Sequence, residues 1–153
     1  MERSAVLTMR RAVLLLLLLF GAPWGSAGSQ SVVLVVRTDS PVTDLDSVTV
    51  RKLFLGLPVL INGRPLHPIR NRADALLDQI FLQEIVAMSQ TAYDRQTLTG
   101  LNRQGWLRPS EVDSGDAALG KVLADANAVT FVWQRDLAAH NEQVRVIRVL
   151  WSD

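Results

Sequence analysis

Val32-Val33-Leu34-Val35-Val36 is an unbroken apolar run in which four of the five residues are β-branched. A strand of this kind has no solvent face. It needs a sheet covered on both sides, which is the situation of α/β folds. Arg37-Thr38-Asp39-Ser40-Pro41 closes the run as a loop. Val129-Thr130-Phe131-Val132-Trp133 reads as a second strand. Val144–Leu150 alternates and reads as a half-buried terminal strand.

Helical patterns lie between these strands. Asp46 or Ser47 caps a helix over 48–55, with Gly56 at its C-terminal cap. Asn62-Gly63 is a hairpin signal between Val59-Leu60-Ile61 and Arg64-Pro65-Leu66. Pro65 and Pro68 confine the second arm to an edge or an extended segment. Asp74 caps the longest helix, which runs to Met88 with Leu77, Ile80, Phe81, Ile85 and Met88 on its apolar face and Glu84 as the polar exception. Ser89 caps the next helix, where Tyr93, Leu98 and Leu101 are packing candidates. Asp113 or Ser114 caps one more, through Ala117, Leu119, Val122 and Leu123. Interleaved strands and helices predict an α/β layer fold with a mixed sheet flanked by helices.

The N-terminal residues read as an export signal. Arg10-Arg11 precedes the apolar run Ala12–Phe20, Gly21-Ala22-Pro23 breaks it, and Gly25-Ser26-Ala27 offers small residues for cleavage. The run is shorter than the roughly 20 residues a membrane span needs. The expected organisation is a signal peptide over 1–27 and one domain over 28–153, delivered to the periplasm. The absence of cysteine excludes disulfide and thiolate chemistry and a lipoprotein anchor. Residues 1–27 carry Arg3, Arg10, Arg11 and Glu2, so the 16 basic residues of the whole chain fall to 13 and the 15 acidic ones to 14. That balance argues against nucleic acid as a partner.

From Leu53 to Ser89 the predicted order is helix end, hairpin, short strand, basic turn and helix start. This order aims backbone N–H groups and arginines at one place, which is how proteins hold an oxyanion. Leu53-Phe54-Leu55-Gly56 followed by Arg72-Ala73-Asp74 resembles the bacterial periplasmic phosphate-binding proteins of ABC transporters. Members of that family carry a helix ending in Phe-Leu-Gly, a strand, and an Arg-x-Asp-Gly-Ser-Gly-Thr loop that opens a helix. Met88–Asp94 and Asn127–Val132 resemble later segments of small members. The resemblance covers residues 32–150 and implies one lobe of a type II periplasmic-binding-protein fold, with no room for the second lobe of a full-length receptor. Ala75-Leu76-Leu77-Asp78 stands where the family has Gly-Ser-Gly-Thr.

For an oxyanion, the resemblance and the basic turn together nominate Arg70, Asn71, Arg72 and Asp74, with Thr38 and Ser40 from the first strand's loop. Arg72 equally reads as a surface charge paired with Asp74 or Asp78, and Asp74 as a helix cap. Trp106 and Arg108, in a loop bounded by Gly105 and Pro109, are candidate partner contacts. His67 and His140 lack the neighbours of a metal site. No Gly-x-Ser-x-Gly elbow is present. The expectation is therefore a non-enzyme without cofactor or metal. It is either a secreted phosphate- or oxyanion-binding protein, acting as a solute-binding or accessory protein of ABC-type phosphate transport, or a ligand-free protein-interaction module on the same fold with an envelope protein as partner.

Overall fold

The computed structural model describes residues 30–104 and 106–153. The export signal expected over 1–27 lies outside the described residues, as does Gly105. β1 (Ser31–Arg37) is followed by α1 (Ser47–Phe54), the short strands β2 (Leu60–Ile61) and β3 (Arg64–Pro65), and β4 (His67–Asn71). Next come α2 (Ala75–Ile80), a wide helical turn over Phe81–Ile85, α3 (Gln90–Gln104) and β5 (Ser110–Val112). α4 (Gly115–Ala124), β6 (Ala128–Trp133), a short helical turn over Gln134–Leu137 and β7 (Val144–Ser152) complete the chain.

The main sheet has the order β5-β4-β6-β1-β7. β4 runs parallel to both β5 and β6, whereas β1 runs antiparallel to β6 and β7. The fold is thus a mixed sheet flanked by helices, as the patterning predicts. Val32, Leu34 and Val36 of β1 enter one core with Phe54, Phe81, Tyr93 and Phe131. Val33 and Val35 enter the other, with Leu119, Val122 and Val132. Period-two alternation between two apolar layers explains why β1 shows no polar position.

Caps set the helix starts. The Asp46 carboxylate accepts from the Thr49 N–H at 2.8 Å and the Ser114 hydroxyl from the Ala117 N–H at 3.1 Å. Asn62 and Gly63 both have positive φ, the conformation of a tight two-residue hairpin. Two expectations change. The helix after Asp74 is not regular to Met88, because the Val86 N–H reaches back to the Phe81 carbonyl and widens the last turn. That turn buries both Ile85 and Val86 and leaves Glu84 exposed, which resolves the polar exception on the apolar face. Leu98 and Leu101 do not pack inward. α3 buries Tyr93, Thr97 and Gly100, and the two leucines are 47% and 44% exposed.

Candidate functional site

β4 and β5 end side by side, with the Arg72 N–H bonded to the Val112 carbonyl at 2.8 Å. In open α/β sheets ligands settle beyond the carboxyl ends of parallel strands. Here that place is filled by a charge cluster. Arg70 points into the core beneath α2 and α3 and is fully buried. Its Nη2 donates to Asp78 Oδ1 and to Gln90 Oε1, both at 2.7 Å, and its Nη1 to Glu111 Oε1 at 3.4 Å. The Phe81 and Tyr93 rings hold the guanidinium carbon at 4.6 and 4.8 Å. Its Nε has no partner among the described residues.

Arg72 and Arg108 form the outer part of the cluster, each somewhat under half exposed. Arg72 Nε lies 3.7 Å from Asp78 and its Nη1 3.5 Å from Glu111. Arg108 Nη2 lies 3.6 Å from Glu111 and 3.8 Å from Asp94. Three arginines therefore meet three carboxylates, and Glu111 touches all three arginines. The first turn of α2, Ala75–Asp78, ends in a carboxylate that faces this arginine cluster.

The other nominated residues have structural partners. Asn71 is buried. Its amide donates to the Phe131 carbonyl at 3.1 Å, and its carbonyl oxygen accepts from the Ala73 N–H at 3.0 Å. Asp74 Oδ1 accepts from the Leu77 N–H at 2.8 Å and Oδ2 from Trp133 Nε1 at 2.7 Å. Burial pushes the Asp74 carboxyl up, but the Trp133, Leu77 and Leu76 hydrogen bonds and the Arg135 charge outweigh it and hold it below its ordinary value.

Thr38 and Ser40 are not brought to this cluster. β1 runs opposite to β4 and β6, so its end lies beside His67 and Ala128, where β4 and β6 begin. Thr38 Oγ1 donates to the Glu142 carbonyl at 3.1 Å, and Ser40 Oγ accepts from the Val42 N–H at 3.3 Å. Trp106 packs its ring on Gly100, where any side chain would overlap it.

Gln90, Asp94 and Glu111 were not nominated by sequence. Glu111 carries no local signal, since it reaches Arg70 only through the parallel β4–β5 pairing. Asp78, in contrast, is four residues beyond the Asp74 cap and is the Arg72 partner that the surface-charge reading names. Beside Asp78 an open groove of about 700 Å³ runs along α2 and the wide turn to Met88 and Ser89. Among the described residues no group of three or more His, Cys, Asp or Glu could hold a metal ion.

No protein-family model and no curated protein matches the sequence. Solved structures do match the fold. A Clostridium perfringens protein described as a phosphate ABC transporter substrate-binding protein, solved with bound phosphate, aligns at TM-score 0.53 and 16% identity, over 69% of this chain and 40% of that one. A protein of Planctomyces limnophilus DSM 3776 described as a possible phosphate binding protein aligns at TM-score 0.56 and 7% identity, over 78% and 41%. An ABC-type phosphate transport receptor from Vibrio cholerae aligns at TM-score 0.48 and 18% identity, over 78% and 46%. The chain spans less than half the length of each. At these identities the likeness to the Clostridium and Planctomyces structures establishes the fold alone, a periplasmic-binding-protein-like α/β unit.

Proposed function

We propose that this chain is a non-catalytic binding protein, exported to the periplasm, that uses a single substrate-binding-protein lobe to dock another protein rather than to hold a free oxyanion. One observation carries this reading: the carboxylate of Asp78 lies 2.7 Å from Arg70 Nη2 and 3.7 Å from Arg72 Nε. The chain's own anion takes a donor of Arg70 and offsets the Arg72 charge that an oxyanion would need. A free phosphate dianion would have to displace that carboxylate and sit near Glu111 and Asp94 as well, at a cost in like-charge repulsion.

The second reading, a weak oxyanion site, is supported by the partial exposure of Arg72 and Arg108 at the carboxyl ends of β4 and β5. Calorimetric titration of the exported protein with phosphate and with sulfate separates the two. The docking reading expects no binding up to millimolar ligand, and a gain of binding in Asp78→Thr, which frees the arginines. Phosphate binding by the wild type tighter than ~1 mM, lost in Arg72→Ala, would establish the oxyanion reading instead.

A further inference from the structure

β7 is the longest strand of the main sheet and closes one side of it, with β1 as its only strand partner among the described residues. The outer backbone N–H and C=O groups of such a strand form a row that another extended chain can pair. Natural edges are blunted by prolines, lysines or outward-pointing charges. Val144–Ser152 contains neither proline, lysine nor a carboxylate. Its two arginines are spent on the segment that leaves β1. Arg145 Nη2 donates to the Ser40 and Val42 carbonyls at 3.0 and 2.8 Å. Arg148 Nε donates to the Leu45 carbonyl, and its Nη2 lies 3.4 Å from Asp44.

The apolar layers of the sheet run on to this edge. Val146 stands opposite Val35 of β1, and Val149 opposite Val33. Val33 and Val35 are buried in the core closed by Leu119 and Val122 of α4, yet Val146 and Val149 are 43% and 57% exposed. The β1–β7 register shifts twice, leaving Ile147 and Leu150 as extra residues on β7. The bulge at Ile147 sets Val146 and Val149, three positions apart, on one face. Arg145, Ile147, Arg148 and Leu150 lie on the other face, the one that carries Leu34 and Val36.

This pattern is symmetric about the middle of the strand. Antiparallel pairing of β7 with a second β7, around a two-fold axis between Ile147 and Arg148, sets Val146 opposite Val149, Ile147 opposite Arg148 and Arg145 opposite Leu150. Each of these pairs shares a face, each exposed valine is covered by one from the other copy, and no arginine meets an arginine. Neighbouring registers lose this match. Centring on Arg148 opposes the two Arg148 side chains, and centring on Ile147 sets Val146 across from Arg148, on the wrong face.

We infer that two copies of this chain pair through β7 and join their five-stranded sheets edge to edge. β7 lies across the sheet from β5, so the dimer leaves both arginine clusters open and presents them as a pair, which strengthens binding to any partner with two matching sites. The inference stands apart from the docking reading, since it uses none of the residues of that cluster. A strand-to-strand contact is small beside the roughly 1,200–2,000 Å² of a standard interface, so the association is weak.

Sedimentation equilibrium of the exported protein from ~1 to ~500 µM tests it, with a reversible monomer–dimer equilibrium of Kd ~1–100 µM expected. Val146→Lys and Val149→Lys, at exposed positions on the edge, should each weaken association about tenfold or more. Arg72→Ala should leave it unchanged. The chain has no cysteine, so the register can be read by single cysteine variants. An equimolar mixture of Val146→Cys and Val149→Cys should form disulfide-linked dimers faster than either variant alone, because directly opposed Cβ atoms lie about 4.5–5.5 Å apart. This readout adds no charge and decides the matter even where a lysine variant fails to fold. A monomer throughout the concentration range, assemblies larger than a dimer, a dimer indifferent to folded lysine variants, or single cysteine variants that cross-link as fast as their mixture would each overturn the inference.

Discussion

The Arg70 guanidinium carbon lies 4.6 Å from the centroid of the Phe81 ring, and neither side chain reaches solvent. An arginine in a basic turn, expected to face a ligand, is a core residue whose charge is shared among two rings, two carboxylates and the Gln90 amide oxygen. Removing one partner of a buried ionic network strands the others. Arg70→Ala should therefore cost on the order of 3–5 kcal/mol, measured by urea unfolding. Arg72→Ala, at an exposed position with longer contacts, should cost about 1 kcal/mol or less. Equal effects from the two substitutions would show that the buried and exposed halves of the cluster are not distinct.

Phe81 is the hub of the aromatic core. Its ring stacks on Phe131 at 5.3 Å and meets Phe54 and Tyr93 edge-on at 5.7 and 5.3 Å. Phe81→Ala should cost about 3–5 kcal/mol. Because Arg70 leans on the same ring, a double-mutant cycle between the two should show a coupling of roughly 0.5–2 kcal/mol. A coupling of zero would mean that the guanidinium gains nothing from the ring.

Tyr93 is the sole tyrosine, so its ionisation can be read directly by ultraviolet absorbance. Burial, opposed by the Arg70 charge, pushes its hydroxyl up to about 12, and the hydroxyl donates to the Phe54 carbonyl at 2.9 Å. The unfolded chain releases this proton near pH 10. Above that value the unfolded state binds fewer protons than the folded one, so stability falls as pH rises from about 10 towards 12. A spectrophotometric midpoint near 10 in the folded protein would show the hydroxyl to be solvated.

The sheet was legible in the sequence because β1, β6 and β7 carry their burial pattern in consecutive residues. The caps at Asp46, Asp74, Ser89 and Ser114 were legible because a cap acts within three residues of itself. The cluster at Arg70 was only half legible. Its cations and Asp78 are local, but Glu111 arrives by parallel pairing across 41 positions. Leu98 and Leu101 misled because helical spacing alone does not say which of two apolar stripes faces inward. α3 turns its Tyr93–Thr97–Gly100 stripe to the core, where Gly100 makes room for Trp106. The separation of Thr38 and Ser40 from the cluster follows from the direction of β1, which no local pattern encodes.

Asp74 ties the start of α2 to the end of β6, with one oxygen on the Leu77 N–H and the other on the Trp133 indole. Its carboxyl is held below its ordinary value: burial opposes ionisation, and the hydrogen bonds from Trp133, Leu77 and Leu76 together with the Arg135 charge overcome that opposition. In the window between the folded and unfolded values the unfolded state binds more protons, so stability rises with pH. The contribution is complete above the ordinary carboxylate value of about 4 and is lost as pH falls through the folded one. Asp39, Asp46 and Asp125 are also held low, so the wild type loses stability in acid for several reasons at once. Asp74→Asn isolates one of them, since asparagine keeps a capping oxygen but cannot titrate. The variant should be less stable at neutral pH by about 1 kcal/mol, and the gap should close as pH falls below about 4. Urea midpoints of the two proteins, measured side by side down that pH range, check it. A gap that stays constant into acid would mean that the Asp74 charge contributes nothing and that only the shape of its side chain matters.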